Sequence, residues 1–177
     1  MKVALLIVDM QKGSFMETPR FDADNLVQRL NDLATRVRTA GGVVVYIQHN
    51  GPQGDPHHPD TEGWKLLADL TPVEGDHFVT KTSCDSFLGT KLSSLLSELD
   101  VRRLIITGCA TDFCVDTTVR SALARGFETV APSDGHTTAD RPYLNAEEII
   151  EHHNAVWSKF ISPSGAARLV PCADIQP

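Results

Sequence analysis

Short apolar runs alternate with longer segments of helical periodicity along almost the whole chain, and few architectures accept that pattern. The runs are residues 3–8, 43–47, 77–81, 104–107, 128–131 and 168–170. Residues 3–8 and 43–47 are apolar throughout, as in strands buried on both faces. Between those two, Leu26, Leu30, Leu33 and Val37 recur at helical spacing, with Asp22 or Asp24 as the cap and Gly41 and Gly42 as the stop. Further helices are expected over residues 65–70 (one or two turns), 89–99, 114–125 and 145–160. Strands joined by helical crossovers close into a parallel sheet wound on both faces. The expectation is a single α/β domain over residues 1–177. It is a three-layer α/β/α, Rossmann-like fold on a six-stranded, mainly parallel sheet, with residues 168–170 as an edge strand.

Charge and composition narrow the partners. A formal net charge of -7 argues against a nucleic-acid surface. No apolar run approaches the ~20 residues of a bilayer span. The opening run is short and ends in Asp9, so it reads as a strand rather than an export signal. The four cysteines, Cys84, Cys109, Cys114 and Cys172, show no zinc-knuckle spacing. Reduced thiols in the cytoplasm are expected.

Parallel strands all finish at one edge of their sheet, where α/β ligands bind. Asp9, His49, Lys81 and the turn holding Cys114 converge there. Each has a structural and a functional reading. Asp9 is either a turn residue or a carboxylate for proton transfer. Lys81 is either a surface charge or the partner of a thiolate or carboxylate. Cys114, at the first turn of an expected helix, is either a small buried residue or a nucleophile favoured by unpaired N–H groups. The Gly- and Pro-rich segment 50–64 reads as a lid or pocket wall. Its His57, His58, Asp55 and Asp60, with His49, invite a metal, but no pair has the i, i+4 spacing of a helical ligand pair; solvated surface histidines are the preferred reading. Trp64 is either a core anchor or a flat pocket wall.

Three motifs in register carry a family resemblance: LIVDMQ at residues 6–11, VTK at 79–81 with SFLGT at 86–90, and GCATDFCVDTT at 108–118. The chain from residue 3 to about 135 resembles the isochorismatase-like cysteine hydrolases, which include nicotinamidases, N-carbamoylsarcosine amidases and ureidoacrylate amidohydrolases. The resemblance implies a triad in which Asp9 is the general base, Lys81 stabilises the thiolate and Cys114 attacks a carbonyl. It implies a non-proline cis peptide between Cys109 and Ala110, with the N–H groups of Ala110 and Cys114 as an oxyanion hole. Phe15, His49, Trp64 and Phe113 are the candidate pocket residues.

Two departures refine the expectation. The Asp-x-His motif that supports a metal in nicotinamidases is here Gln48-His49-Asn50, so no metal and no cofactor are expected. Isochorismatase proper, which cleaves a vinyl ether, lacks the cysteine. Cys114 therefore favours cleavage of a C–N bond in a small amide or carbamoyl compound through a thioester. A vinyl-ether hydrolase, a thiol-redox protein and a non-catalytic binding module are the competing readings; no C-x-x-C supports the redox one. The resemblance also implies a homo-oligomer, a dimer or higher.

Overall fold

Every side chain from Ala4 to Val8 is fully enclosed, because β1 (Lys2–Val8) lies inside the sheet and is covered on both faces. The computed structural model describes residues 2–177. The strands β1, β2 (Val43–His49), β3 (His77–Lys81), β4 (Val101–Cys109) and β5 (Glu128–Val130) lie in the order β3-β2-β1-β4-β5, and β6 (His136–Thr137) pairs with β4. All pairings are parallel. The chain builds outward from β1 to β3, then returns to the other side of β1 for β4 and β5. The order therefore reverses between β1 and β4, and a crevice opens at their carboxyl ends.

Alternation along β1 divides the core. Ala4, Leu6 and Val8 face one layer with Ile106, Val119 and Trp157; Val3, Leu5 and Ile7 face the other with Leu26, Leu30 and Val37. The first layer is α3 (Leu92–Glu98), α4 (Asp116–Ala124) and α5 (Ala146–Trp157); the second is dominated by α2 (Ala23–Thr39). Asn145 and Glu148 close a capping box on α5. No helix among the described residues is long and apolar enough to cross a membrane.

Several local expectations change. Asp22 occupies the N-cap position of α2 but makes no side-chain cap bond; its carboxylate pairs with Arg29 at 2.8 Å. Residues 65–70 are not helical. Lys65 and Leu67 instead exchange backbone hydrogen bonds with Lys12 and Met10, and Leu66 bridges Gln11. The segment after Asp9 contains one helical turn, α1 (Gly13–Met16). The sixth strand is β6 rather than residues 168–170. The latter run beside β5 through single bonds, Arg168 N–H to Thr129 O and Ala131 N–H to Arg168 O, with one bridge at Val130. A third bond, Ser133 N–H to Val170 O at 3.0 Å, carries the contact as far as Pro171 without building a regular strand.

Candidate active site

Lys81 ends β3, two strands from β1 and so roughly 10 Å away along the sheet. A lysine side chain is long enough to cover most of that span. Its Nζ lies 2.7 Å from Asp9 Oδ2 and donates to Cys114 Sγ at 3.2 Å and to Ser83 O at 2.9 Å. The Lys81 and Asp9 side chains are 0% and 6% exposed. Asp9 is held by its own N–H on Ile47 O at 2.9 Å and has a left-handed backbone, φ 48°. An aspartate tolerates that conformation better than most residues, and it turns the carboxylate out of the strand direction. Its other oxygen, Oδ1, is buried and accepts no hydrogen bond from any described residue.

Cys114 sits in a π-helical turn, Thr111–Val115, rather than at the start of an α-helix; the α-helix begins at Asp116. The turn is wide because Ala110 O takes both the Phe113 and the Val115 N–H, each at 3.1 Å. The peptide bond between Cys109 and Ala110 is cis. Buried side chains tie the turn to its surroundings. Thr111 Oγ1 meets His136 Nδ1 at 2.9 Å, and His136 Nε2 meets Asn154 Oδ1 at 3.1 Å. Asp112 takes Arg141 at 2.7 and 3.1 Å and Thr138 Oγ1 at 2.6 Å. Asp116 accepts Trp157 Nε1 at 2.7 Å. Gly108 is required just before: at φ 119°, a Cβ there would stand 2.1 Å from Val8 O.

The electrostatics favour a neutral thiol beside an ion pair. Burial first, then the Asp9 charge, pushes the Cys114 thiol up, and Lys81 only partly opposes this. Burial alone would lower Lys81, but Asp9 and Cys114 hold it above its ordinary value. Burial and then Lys81 lower His49, which favours its neutral imidazole. Cys109 is buried, and burial pushes its thiol up to about 12.

A cavity of about 330 Å³ opens over these groups. Asp9, His49, Cys114, Ala110 and Phe113 line it, as do Ser14, Arg20, His57, Cys84, Cys109 and Arg141. Lys81 lies beneath it. Two expected pocket residues are elsewhere. Phe15 lines a separate cleft between α2 and residues 67–69, and Trp64 donates its indole N–H to Asn50 Oδ1 at 2.8 Å, outside the cavity lining. That second cleft is larger, about 730 Å³, yet it contains neither the thiol nor the ion pair, so the smaller cavity is the candidate site.

The loop histidines are engaged rather than simply solvated. His57 Nδ1 lies 3.1 Å from Asp55 Oδ1, and its Nε2 lies 2.9 Å from Ser14 Oγ; His58 pairs at longer range with Asp60. Among the described residues no three His, Cys, Asp or Glu side chains are grouped to hold a metal ion. Ser14, Arg20 and Arg141 carry no sequence signal that sets them apart from surface residues. His57 was legible only as part of a polar loop.

Comparison with known proteins gives a consistent picture. Residues 3–156 match a family model described as the isochorismatase domain. A streptothricin hydrolase of Streptomyces noursei is 38% identical over 142 residues, covering 78% of this chain and 56% of that protein. The chain thus spans little more than half the length of that relative. A ureidoacrylate amidohydrolase of Klebsiella pneumoniae is 27% identical over 154 residues, 66% of this chain and 65% of that protein. A solved structure of an isochorismatase from Pseudomonas putida KT2440 superposes with a TM-score of 0.88 at 26% identity, covering 98% of this chain and 90% of that one.

Proposed function

The chain belongs to the isochorismatase family of hydrolases, and on that premise we propose that it cleaves a C–N amide or carbamoyl bond of a small molecule through a thioester on Cys114. One observation carries the reading: a single buried ammonium lies 2.7 Å from a carboxylate and 3.2 Å from a thiol at the mouth of the sheet. A nucleophile, a proton acceptor and a fixed cation are what acyl transfer from an amide needs. The name of the ureidoacrylate relative, an amidohydrolase, supports the same bond class, and that of the streptothricin relative supports hydrolysis. A cavity of about 330 Å³ suits a small substrate.

The steps follow from the charges. The thiol is neutral at rest, so its proton passes to Asp9 as sulfur attacks the carbonyl carbon; the unbonded Oδ1 is the oxygen free to take it. Lys81 stays charged and steadies both anions in turn. Negative charge gathers on the carbonyl oxygen, where the N–H groups of Ala110 and Cys114 at the cavity rim are the donors. As the intermediate collapses, the C–N bond breaks and Asp9 returns its proton to the leaving nitrogen. Water then gives a proton to Asp9, attacks the thioester carbon and releases the acid, and the sulfur regains the proton from Asp9.

Ammonia release from a panel of primary amides and N-carbamoyl compounds tests the proposal, with wild type, Cys114→Ala and Asp9→Asn, with and without chelator. Wild type releases ammonia on at least one member, chelator leaves the rate unchanged, and both variants lose the activity. Hydroxylamine added during turnover traps the acyl group as a hydroxamate. Undiminished turnover by Cys114→Ala overturns the reading.

A further inference from the structure

A second hydrogen-bonded chain of catalytic residue types reaches the same cavity. Ser14 Oγ lies 2.9 Å from His57 Nε2, and His57 Nδ1 lies 3.1 Å from Asp55 Oδ1. Asp55 Oδ1 also takes the His57 backbone N–H at 2.7 Å, so imidazole and carboxylate are fixed to each other from two sides. Two glycines allow the approach. A Cβ on Gly51 would meet the Asp55 carboxylate at 2.5 Å, and one on Gly13 would stand 3.1 Å from both His57 Nε2 and Gly63 O. Arg20 Nε donates to Ser14 O at 2.6 Å and anchors the backbone of the serine. Ser14 and His57 line the cavity; the triad of Asp9, Lys81 and Cys114 makes no use of them.

Proton positions follow from this geometry. The Asp55 carboxylate, held below its ordinary range first by the backbone N–H of His57, can only accept. His57 Nδ1 must then carry the hydrogen, and in the neutral ring Nε2 is an acceptor. The Ser14 hydroxyl hydrogen therefore turns to His57, whose distance of 2.9 Å is shorter than the 3.3 Å to Asp9 O. The serine oxygen is left with lone pairs on the cavity side. Its contact with Asp9 is to the backbone carbonyl, and Ser14, Asp9 and Cys114 line the same cavity, so the hydroxyl faces the space in which Asp9 protonates the leaving nitrogen in the reaction above.

We propose that Ser14, oriented by His57 and Asp55, accepts an N–H from the substrate's leaving nitrogen. The site then selects substrates whose scissile nitrogen bears a hydrogen, such as primary amides and ureido NH₂ groups, over esters and N,N-disubstituted amides. Holding that N–H also leaves the developing nitrogen lone pair free to turn toward Asp9. Ser14 is thus a specificity residue, and its role rests on the cysteine mechanism proposed above.

The test compares two chromogenic probes with enzyme in excess: p-nitrotrifluoroacetanilide, whose leaving nitrogen carries one hydrogen, and p-nitrophenyl acetate, whose leaving oxygen carries none. Ser14→Ala lowers the amide-to-ester ratio of kcat/KM by roughly 3- to 10-fold, the worth of one net hydrogen bond. Ser14→Thr, which keeps the hydroxyl, restores most of the ratio. His57→Ala lowers it less, and adding it to Ser14→Ala lowers it no further, because the imidazole acts only through the hydroxyl. A ratio unchanged in Ser14→Ala overturns the proposal, whether both rates fall or neither does. So does a wild type that releases p-nitrophenolate but no p-nitroaniline. Release of neither product by wild type, or undiminished release by Cys114→Ala, overturns the thioester mechanism and this inference with it.

Discussion

Replacing Lys81 by Met removes the ammonium but keeps an unbranched side chain of similar length. At 2.7 Å, the Lys81–Asp9 pair has a gross attraction of about 6 kcal/mol for an effective dielectric of about 20. Much of that is offset by the desolvation of two charges that are 0% and 6% exposed. Methionine leaves the Asp9 carboxylate buried without a counter-charge, and breaking a buried pair from one side costs about 3–5 kcal/mol. Against a domain stability of about 5–15 kcal/mol, Lys81→Met should fold with a much lower urea midpoint. The assay is urea unfolding at pH 7 of wild type, Lys81→Met, Asp9→Asn and the double variant. The double variant should recover at least half of the loss, since a neutral amide removes the orphaned charge. The pH dependence has a definite sign. Lys81 is raised in the folded state, so its contribution is complete below the unfolded lysine value of about 10.4 and fades only as pH rises through the higher folded value. A Lys81→Met loss below about 1 kcal/mol refutes the reasoning about the buried pair, and so do single losses that simply add in the double variant.

Other expectations concern the frame around the site. His136 is buried and lowered to about 4 by burial. Its contribution is present above the unfolded value of about 6.5 and is lost as pH falls toward 4, about 3 kcal/mol in all. His136→Gln keeps a donor for Asn154 and an acceptor for Thr111, so its stability should fall less between pH 6.5 and 4; parallel pH profiles would refute this. Gly108→Ala meets Val8 O and a left-handed φ together and should cost more than about 3 kcal/mol in thermal or urea unfolding; a loss within about 1 kcal/mol contradicts the close approach of β1 and β4. Trp157→Phe removes the buried donor to Asp116 and should cost about 1–3 kcal/mol, read from the urea midpoint. In the native protein at pH 8, iodoacetamide should label the exposed Cys84 and spare the buried Cys109; peptide mapping that finds both labelled at one rate argues against the enclosure of β4.

Most of the fold was legible because a parallel sheet covered on both faces leaves a strong mark. β1 and β2 must be apolar throughout, and α2 must carry its leucines on one side. The sheet edge that gathers Asp9, His49, Lys81 and Cys114 follows from strand polarity alone. Taken singly, Lys81 reads as a surface charge and Cys114 as a small buried residue; their convergence with Asp9 at one edge, together with the three motifs in register, marks them as reactive groups.

What the chain order could not reveal was which short polar segments meet. Residues 65–67 bond to residues 10–12 rather than to one another, so a stretch with helical composition is not a helix. Residues 136–137 become a strand because β4 offers them an edge, whereas the apolar run at 168–170 meets β5 at a single bridge. Phe15 and Trp64 were plausible aromatics for the pocket, but α2 and Asn50 claim them. Ser14, 43 residues from His57 in sequence, meets it where Gly13 leaves room for the imidazole and Gly51 for Asp55 behind it. The strands are set by local hydrophobic pattern, which a sequence carries in itself. The pairing of polar groups across loops depends on distances that exist only once the sheet has brought the loops together.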